Sequence, residues 1–434
     1  MKADRKKLTN YANCVICICW ALFVAMFTAC PENKDTDNQG SQTIDPPNGS
    51  LFNVVFNVGE GGGAAPAARK ELPNGTVTLP GIGTMTAPSS KQFAGWEIDD
   101  WFYKEGREFT VTKDMTFTAV WLASPSTRAY LSIRYVPVSN PNSTTDHVLG
   151  LWLPDSGIGP FPVVIYVTGG AFQFSGNGQP PGYYTQARAK GYAVASIRHR
   201  VNGTANNGGK FPNQTLDVLT AIRFLRANAE TYNLDPNRFV ITGHSAGGYQ
   251  SNMVAVLSNS PDGLSILDPN NVLDTLGNPG VSTSVLAAVS WAGLSDFRQL
   301  QAQHAASGIN PMFPHHTASA PGTVMLNAKN ESVADIYDSK LDDAWYRSNP
   351  IHYVHADMPP VILQCSRDDG TVPYQQSVIL SDKIAEVCGA DRVKLYVFDG
   401  QNHNTLENVT LSAEQGGGSN MTMIMNFIEL HMKR

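Results

Sequence analysis

Beyond its first thirty residues this 434-residue chain has only two cysteines. Cys14, Cys17, Cys19 and Cys30 lie in the N-terminal segment, which leaves Cys365 and Cys388 and room for one disulfide at most. Cys365 follows an apolar run and reads as a small buried hydrophobe. Positive charge is also scarce: 31 Lys and Arg stand against 37 Asp and Glu, a formal net charge of −6. Without residues 1–30, where four basic residues outweigh Asp4 by three, the charge is −9. So acidic a chain is a poor partner for nucleic acid. The pairs His315-His316 and His352/His355 have no third ligand pattern beside them, so they read as loop or surface residues, and neither a metal centre nor a cofactor is expected.

What is present begins with a targeting segment. Lys2, Arg5, Lys6 and Lys7 precede an apolar run from about Cys14 to Ala29, which ends in Phe27-Thr28-Ala29-Cys30. Residues 1–30 resemble a bacterial lipoprotein signal, and the resemblance implies cleavage before Cys30, lipid attachment to it and a membrane-anchored protein, periplasmic or on the cell surface. Phe27 departs from the aliphatic residue usual there. An ordinary signal peptide and an uncleaved anchor are the other readings. Residues 31–50 are rich in Pro, Asn, Asp, Gly, Ser and Gln with almost nothing apolar, the composition of a flexible tether.

Residues 51–122 form a separate small unit. The alternation Phe52-Asn53-Val54-Val55-Phe56-Asn57 predicts a strand, and short β-like pieces follow between Gly/Pro/Asn turns. Phe93-Ala94-Gly95-Trp96 and Thr116-Phe117-Thr118-Ala119-Val120-Trp121 resemble the Listeria/Bacteroides repeat, a β-grasp-like module of bacterial surface proteins, which implies a spacer or adhesive role without catalysis. One copy is visible. Trp96, Trp101 and Trp121 read as core rather than as a sugar-stacking platform, because so short a domain needs its aromatics inside.

The remaining 312 residues, 123–434, are enough for one large α/β domain. Strands are predicted near 147–153, 163–168, 192–197, 239–242, 286–290, 361–363 and 393–398, and helices near 184–190, 216–229, 249–257 and 421–432. Strands that are apolar throughout and alternate with helices imply a mostly parallel sheet covered on both faces.

One stretch organises this domain. Phe239-Val240-Ile241-Thr242 runs into Gly243-His244-Ser245-Ala246-Gly247-Gly248, and helical spacing follows through Met253, Val254 and Leu257. Strand, tight turn and helix around Gly-x-Ser-x-Gly describe a nucleophile elbow. Ser245 sits at its apex, and the flanking glycines are there because β-carbons would collide in so sharp a corner. His244 lies inside the motif and reads as packing, since a base must face the serine from another loop.

With Ser245-Ala246-Gly247-Gly248, residues 123–434 resemble esterases of the α/β-hydrolase fold, in their carbohydrate-esterase and lipase-like branch. The resemblance implies the remaining site residues. Thr168-Gly169-Gly170-Ala171 stands where such esterases carry a His-Gly-Gly-Gly loop, so the N–H groups of Gly170, Ala171 and Ala246 are the candidate oxyanion donors. Thr168 replaces the usual histidine, which leaves open what shapes the loop. Asp369-Gly370-Thr371-Val372-Pro373 resembles the family's Asp-x-x-Val-Pro loop and makes Asp369 the acid; a one-residue slip would exchange it with Asp368, and Asp296 is a weaker rival. The base must follow the last strand, which leaves His403, in a loop, and His431, on the terminal helix and expected to be exposed. The order Ser245, Asp369, His403 is the one expected of this fold.

The implied activity is hydrolysis of carboxylic esters through an acyl-enzyme, with O-acyl groups (acetyl or feruloyl) on polysaccharides, or acylated small molecules, as substrates. Residues 298–348, small and polar, are expected to gate the substrate. A peptidase of the prolyl-oligopeptidase type shares the triad, but nothing here could encode its propeller. A non-catalytic surface binding protein is the remaining reading.

Overall fold

The structure is a computed structural model and describes residues 51–99, 101–123, 125, 128–176, 184–202, 208–308, 346–406 and 409–432. Cys30, the targeting segment, the tether, the His315-His316 pair and most of the expected gating segment lie outside the described residues.

Seven short apolar runs and one run without a clear pattern become the strands of a single eight-stranded sheet. They are β1 (Ala129–Arg134), β2 (Val148–Trp152), β3 (Phe161–Val167), β4 (Ala193–Ile197), β5 (Leu234–His244), β6 (Ala287–Trp291), β7 (Val361–Ser366) and β8 (Val393–Phe398). Their spatial order is β1-β2-β4-β3-β5-β6-β7-β8. The β1/β2 and β2/β4 pairs are antiparallel, and every pair from β4/β3 to β7/β8 is parallel. Every residue of β2, β4, β6 and β7 is buried, as a sheet covered on both faces requires.

Among the helices are α1 (Tyr184–Ala189), α2 (Asn213–Ala227), α3 (Ala246–Leu257), α4 (Gln375–Cys388) and α5 (Asn420–Met432). All twelve residues of α3 are buried, so the helix that follows the elbow lies within the core. In α2 the apolar stride Leu216, Leu219, Ile222, Leu225 is buried, and so are Gln214, Thr215, Asp217 and Thr220. These polar groups have partners: Thr215 donates to Gln250 Oε1 (2.9 Å), while Asp217 accepts from Arg200 Nη2 (2.6 Å) and pairs with His147 Nε2 (3.1 Å). His147 Nδ1 accepts from the Thr144 N–H (3.0 Å), so Nε2 carries the proton that faces Asp217. Burial without such partners would cost several kcal/mol, roughly, for each charge.

Residues 52–122 build a sheet of their own, in the order Arg69–Glu71, Phe52–Asn57, Met115–Leu122, Gln92–Ile98, Trp101–Tyr103. Trp96 and Trp121 are buried, and their indole N–H groups donate to the Pro80 and Val58 carbonyls, both at 2.7 Å. Trp101 is half-buried. Cys365 is buried, and Cys365 and Cys388 are both free thiols. No helix among the described residues is long and apolar enough to cross a membrane.

Candidate active site

Ser245 sits between β5 and α3 at φ 58°, ψ −121°. A side chain on that conformation is strained by roughly 1–3 kcal/mol, so the surroundings must hold it in place. Its N–H donates to the Trp291 carbonyl at 2.8 Å. The flanking glycines have no room to be anything else: a β-carbon on Gly243 would lie 2.2 Å from the Gly247 oxygen, and one on Gly247 would lie 1.9 Å from the Val167 oxygen. Both obstacles are backbone, which cannot move aside. Gly247→Ala is therefore expected to cost about 3 kcal/mol or more and to lower the melting temperature by roughly 5–10 °C, measured by calorimetry or circular dichroism.

Three loops at the carboxyl ends of β5, β7 and β8 meet at this turn. His403 Nε2 lies 2.8 Å from Ser245 Oγ, and His403 Nδ1 lies 2.7 Å from Asp369 Oδ2. Asp369 is 1% exposed, and its other oxygen accepts from the N–H groups of Thr371 (2.7 Å) and Val372 (3.0 Å). That double acceptance fixes the carboxylate plane independently of His403. Asp368 points elsewhere and accepts from the Gly400 N–H at 2.6 Å, tying the loop after β7 to the loop that bears His403. Asp296 caps a short 3₁₀ turn, accepting from the Arg298 N–H and Gln299 Nε2. His431 is half-buried, with its ring 4.6 Å from that of Phe427, rather than exposed as expected, because α5 packs that side of the helix inward. The His352 ring lies 4.1 Å from that of Tyr346 at a tilt of 46°, and His355 Nε2 lies 3.1 Å from the Ser258 carbonyl. No group of three potential metal ligands occurs among the described residues.

His244 does more than pack. Its Nε2 donates to the His403 carbonyl at 2.6 Å, with the two rings 4.7 Å apart. The residue before the serine thus holds the backbone of the residue that faces it, and no spacing rule in the sequence announces this bond. Burial, with His403 nearby as a second cause, pushes the His244 pKa down to about 4. Between pH 6.5 and 4 the unfolded chain binds a proton at this site that the native chain does not. Native stability is therefore complete above pH 6.5 and falls by up to about 3 kcal/mol as pH drops towards 4. The melting temperature of the unaltered protein is expected to fall more between pH 7 and 4.5 than that of His244→Gln, whose amide can still donate.

The loop after β3 closes over the serine. A β-carbon on Gly169 would lie 3.0 Å from Ser245 Cβ, and Gly170 has φ 152° with its carbonyl accepting from the N–H groups of Gln173 (2.8 Å) and Phe174 (3.0 Å). Thr168 stands where the resembled esterases carry a histidine, and it ties the loop together: its hydroxyl donates to the Gly176 carbonyl (3.2 Å) and accepts from the Gly176 N–H (3.3 Å). No described residue accepts from the N–H of Gly170, Ala171 or Ala246. An open cleft of about 470 Å³ lies in front, lined by Gly170, Phe174, Ser245, Thr371, His403 and Asn404 among others. Phe174, which the motifs leave unmarked, is 71% exposed there.

Comparison with known proteins adds a family to this geometry. The BD-FAE family model matches residues 149–384, more than half of the chain. The chain belongs to the BD-FAE family. The matched span carries the loop after β3, Ser245 and Asp369; His403 lies beyond it. The probable carboxylic ester hydrolase LipM of Mycobacterium tuberculosis is 29% identical over 243 residues, which are 55% of this chain and 49% of LipM. Esterase LipQ of the same organism is 26% identical over 249 residues, 56% of this chain and 51% of LipQ. This BD-FAE chain thus spans about half the length of the curated relatives it matches. Among solved structures, a truncated carbohydrate esterase from gut microbiota superposes with a TM-score of 0.53 at 22% identity, covering 71% of this chain and 97% of that one. A bifunctional GH43-CE protein of Bacteroides eggerthii gives 0.55 at 23% identity, covering 75% and 38%. At such identities the superpositions establish the α/β-hydrolase fold.

Proposed function

We propose that residues 123–434 are a serine carboxylesterase in which Ser245 is the nucleophile, His403 the base and Asp369 the acid. The observation that carries this is the continuous path of two hydrogen bonds, 2.8 and 2.7 Å, from Ser245 Oγ through the imidazole to a buried carboxylate, assembled from three separate loops. His403 Nε2 takes the hydroxyl proton as Ser245 Oγ attacks the ester carbonyl. The developing oxyanion is met by the N–H groups of Ala246 and of Gly170 or Ala171, each contributing about 10²- to 10³-fold if well aimed. Collapse breaks the bond to the alkoxy oxygen, which leaves with the proton from His403. Water then repeats the sequence on the acyl-enzyme, releasing the acid and restoring Ser245.

The substrates are O-acyl groups, acetyl or feruloyl, on polysaccharides. The names of the relatives as ester hydrolases and of a fold neighbour as a carbohydrate esterase support this reading, although one fold hosts many reactions. Residues 1–30 act as a lipoprotein signal with Cys30 lipidated, residues 31–50 as the tether, and residues 51–122 as a non-catalytic surface module. A fluorophosphonate probe should label Ser245, and acetylated xylan should release acetate, or feruloylated xylan ferulate, faster than any dipeptide is cleaved. Preferential dipeptide cleavage would move the reading to a peptidase, and absence of labelling would move it to a binding protein. Cys30→Ala is expected to shift the protein from the membrane fraction to the soluble one; continued membrane attachment would end the lipid-anchor proposal.

A further inference from the structure

The turn that carries two of the candidate oxyanion donors is held in a conformation its side chains resist. Ala171 has φ 49° and Phe172 φ 62°, two consecutive non-glycine residues in the left-handed region. Such strain persists only where the surroundings over-determine it. The Phe172 ring is buried against Tyr249 and Phe297, with centroids 5.4 and 5.8 Å away. The Phe172 carbonyl takes two hydrogen bonds, from the Asn202 N–H at 3.0 Å and from Gln214 Nε2 at 3.1 Å. Gln214 is the only one of these polar donors supplied by a side chain. It stands fully buried in the first turn of α2, outside the triad, and its Oε1 has no hydrogen-bond partner among the described residues.

That unpartnered oxygen separates stability from function. A leucine of similar size would fill the space without an unsatisfied buried acceptor, and the Phe172 carbonyl would keep its bond to Asn202. For stability alone, replacing Gln214 by leucine is neutral or favourable. For the turn it is not, because one of the two bonds that hold a strained backbone is removed.

We propose that Gln214 is a positioning residue for the oxyanion loop: by binding the Phe172 carbonyl it keeps Ala171 and Phe172 left-handed and so keeps the Gly170 and Ala171 N–H groups aimed into the cleft beside Ser245. This inference rests on the esterase reading above. Its effect belongs to the transition state, because a carbonyl in the ground state asks less of the donors than an oxyanion does.

The test is steady-state hydrolysis of p-nitrophenyl acetate by the full chain, with active sites counted by the p-nitrophenol burst or by fluorophosphonate labelling. Gln214→Leu is expected to keep or raise the melting temperature, to lower kcat about 10- to 100-fold and to change KM less than about twofold. Adding Ala171→Gly to Gln214→Leu should recover several-fold of the lost kcat, since glycine takes a positive φ without strain. The same change alone should not raise kcat. A folded Gln214→Leu protein with kcat within twofold of the unaltered enzyme would overturn the proposal, and so would a loss of kcat that Ala171→Gly does not relieve. The two readings fail separately. Undiminished hydrolysis by Ser245→Ala would sink the esterase reading, whereas an inactive Ser245→Ala beside a fully active Gln214→Leu would sink only the role of Gln214.

Discussion

Ser245→Ala is expected to lower kcat on a short-chain aryl ester by about 10⁵- to 10⁶-fold, leaving KM and the melting temperature nearly unchanged. In the proposed mechanism the hydroxyl supplies the attacking atom, and among the described residues the Ser245 hydroxyl is the group 2.8 Å from His403 Nε2. The fold should not notice the loss. The backbone at 245 is as strained for alanine as for serine, and the interactions that hold it, the N–H bond to Trp291 and the close approach of Gly243 to Gly247, do not involve Oγ. Rates are compared after purification to exclude contaminating esterases. A residual rate above about one hundredth of the original would remove Ser245 from the role of nucleophile.

Asp369→Asn is expected to cost about 10⁴-fold in kcat with the protein still folded. The environment of the carboxylate explains why so small a change matters. Asp369 Oδ1 accepts from the Thr371 and Val372 N–H groups, so an asparagine would keep its oxygen there and turn its amide nitrogen towards His403 Nδ1. That nitrogen donates, so His403 Nδ1 would become an acceptor and the ring proton would move to Nε2. The imidazole would then present a proton to Ser245 Oγ instead of a lone pair, and the base would be in the wrong tautomer. Asp368→Asn serves as the control. Its carboxylate meets the Gly400 N–H instead, so kcat should change by less than about fivefold. A larger loss at 368 than at 369 would reverse the assignment.

Much of this arrangement was legible before any coordinates, and the reason is local. A strand, a corner too tight for β-carbons and a helix write themselves into consecutive residues, so Gly243 to Gly248 could be read directly. The run Val361 to Ser366 before Asp369 is a strand buried throughout, and the run Val393 to Phe398 before His403 is an edge strand with Val393 and Phe398 buried, so each loop follows a strand. Other elements left no such trace. Helix α4 buries Gln376, Ser377, Leu380, Ser381 and Ile384 at a helical stride, but three of the five are polar, so no apolar stripe marks it. Strand β1 lies at the edge of the sheet, with Leu131 65% exposed and no alternation to detect.

The chain by itself determined which residues could be brought together: the serine at its elbow by short-range sterics, and the glycine loop, the acid and the base candidates by their resemblance to the motifs of α/β-hydrolase esterases and their order along the chain. Which of those candidates touch was left to the tertiary structure. The parallel strands β4-β3-β5-β6-β7-β8 carry the loops to the carboxyl end of the sheet, where Asp369 rather than Asp368 faces His403. The bonds that hold the site in place, His244 to the His403 carbonyl, Thr168 to Gly176 and Gln214 to the Phe172 carbonyl, are made largely to backbone atoms. A backbone carbonyl is the same at every position of a sequence. Only folding distinguishes one from another.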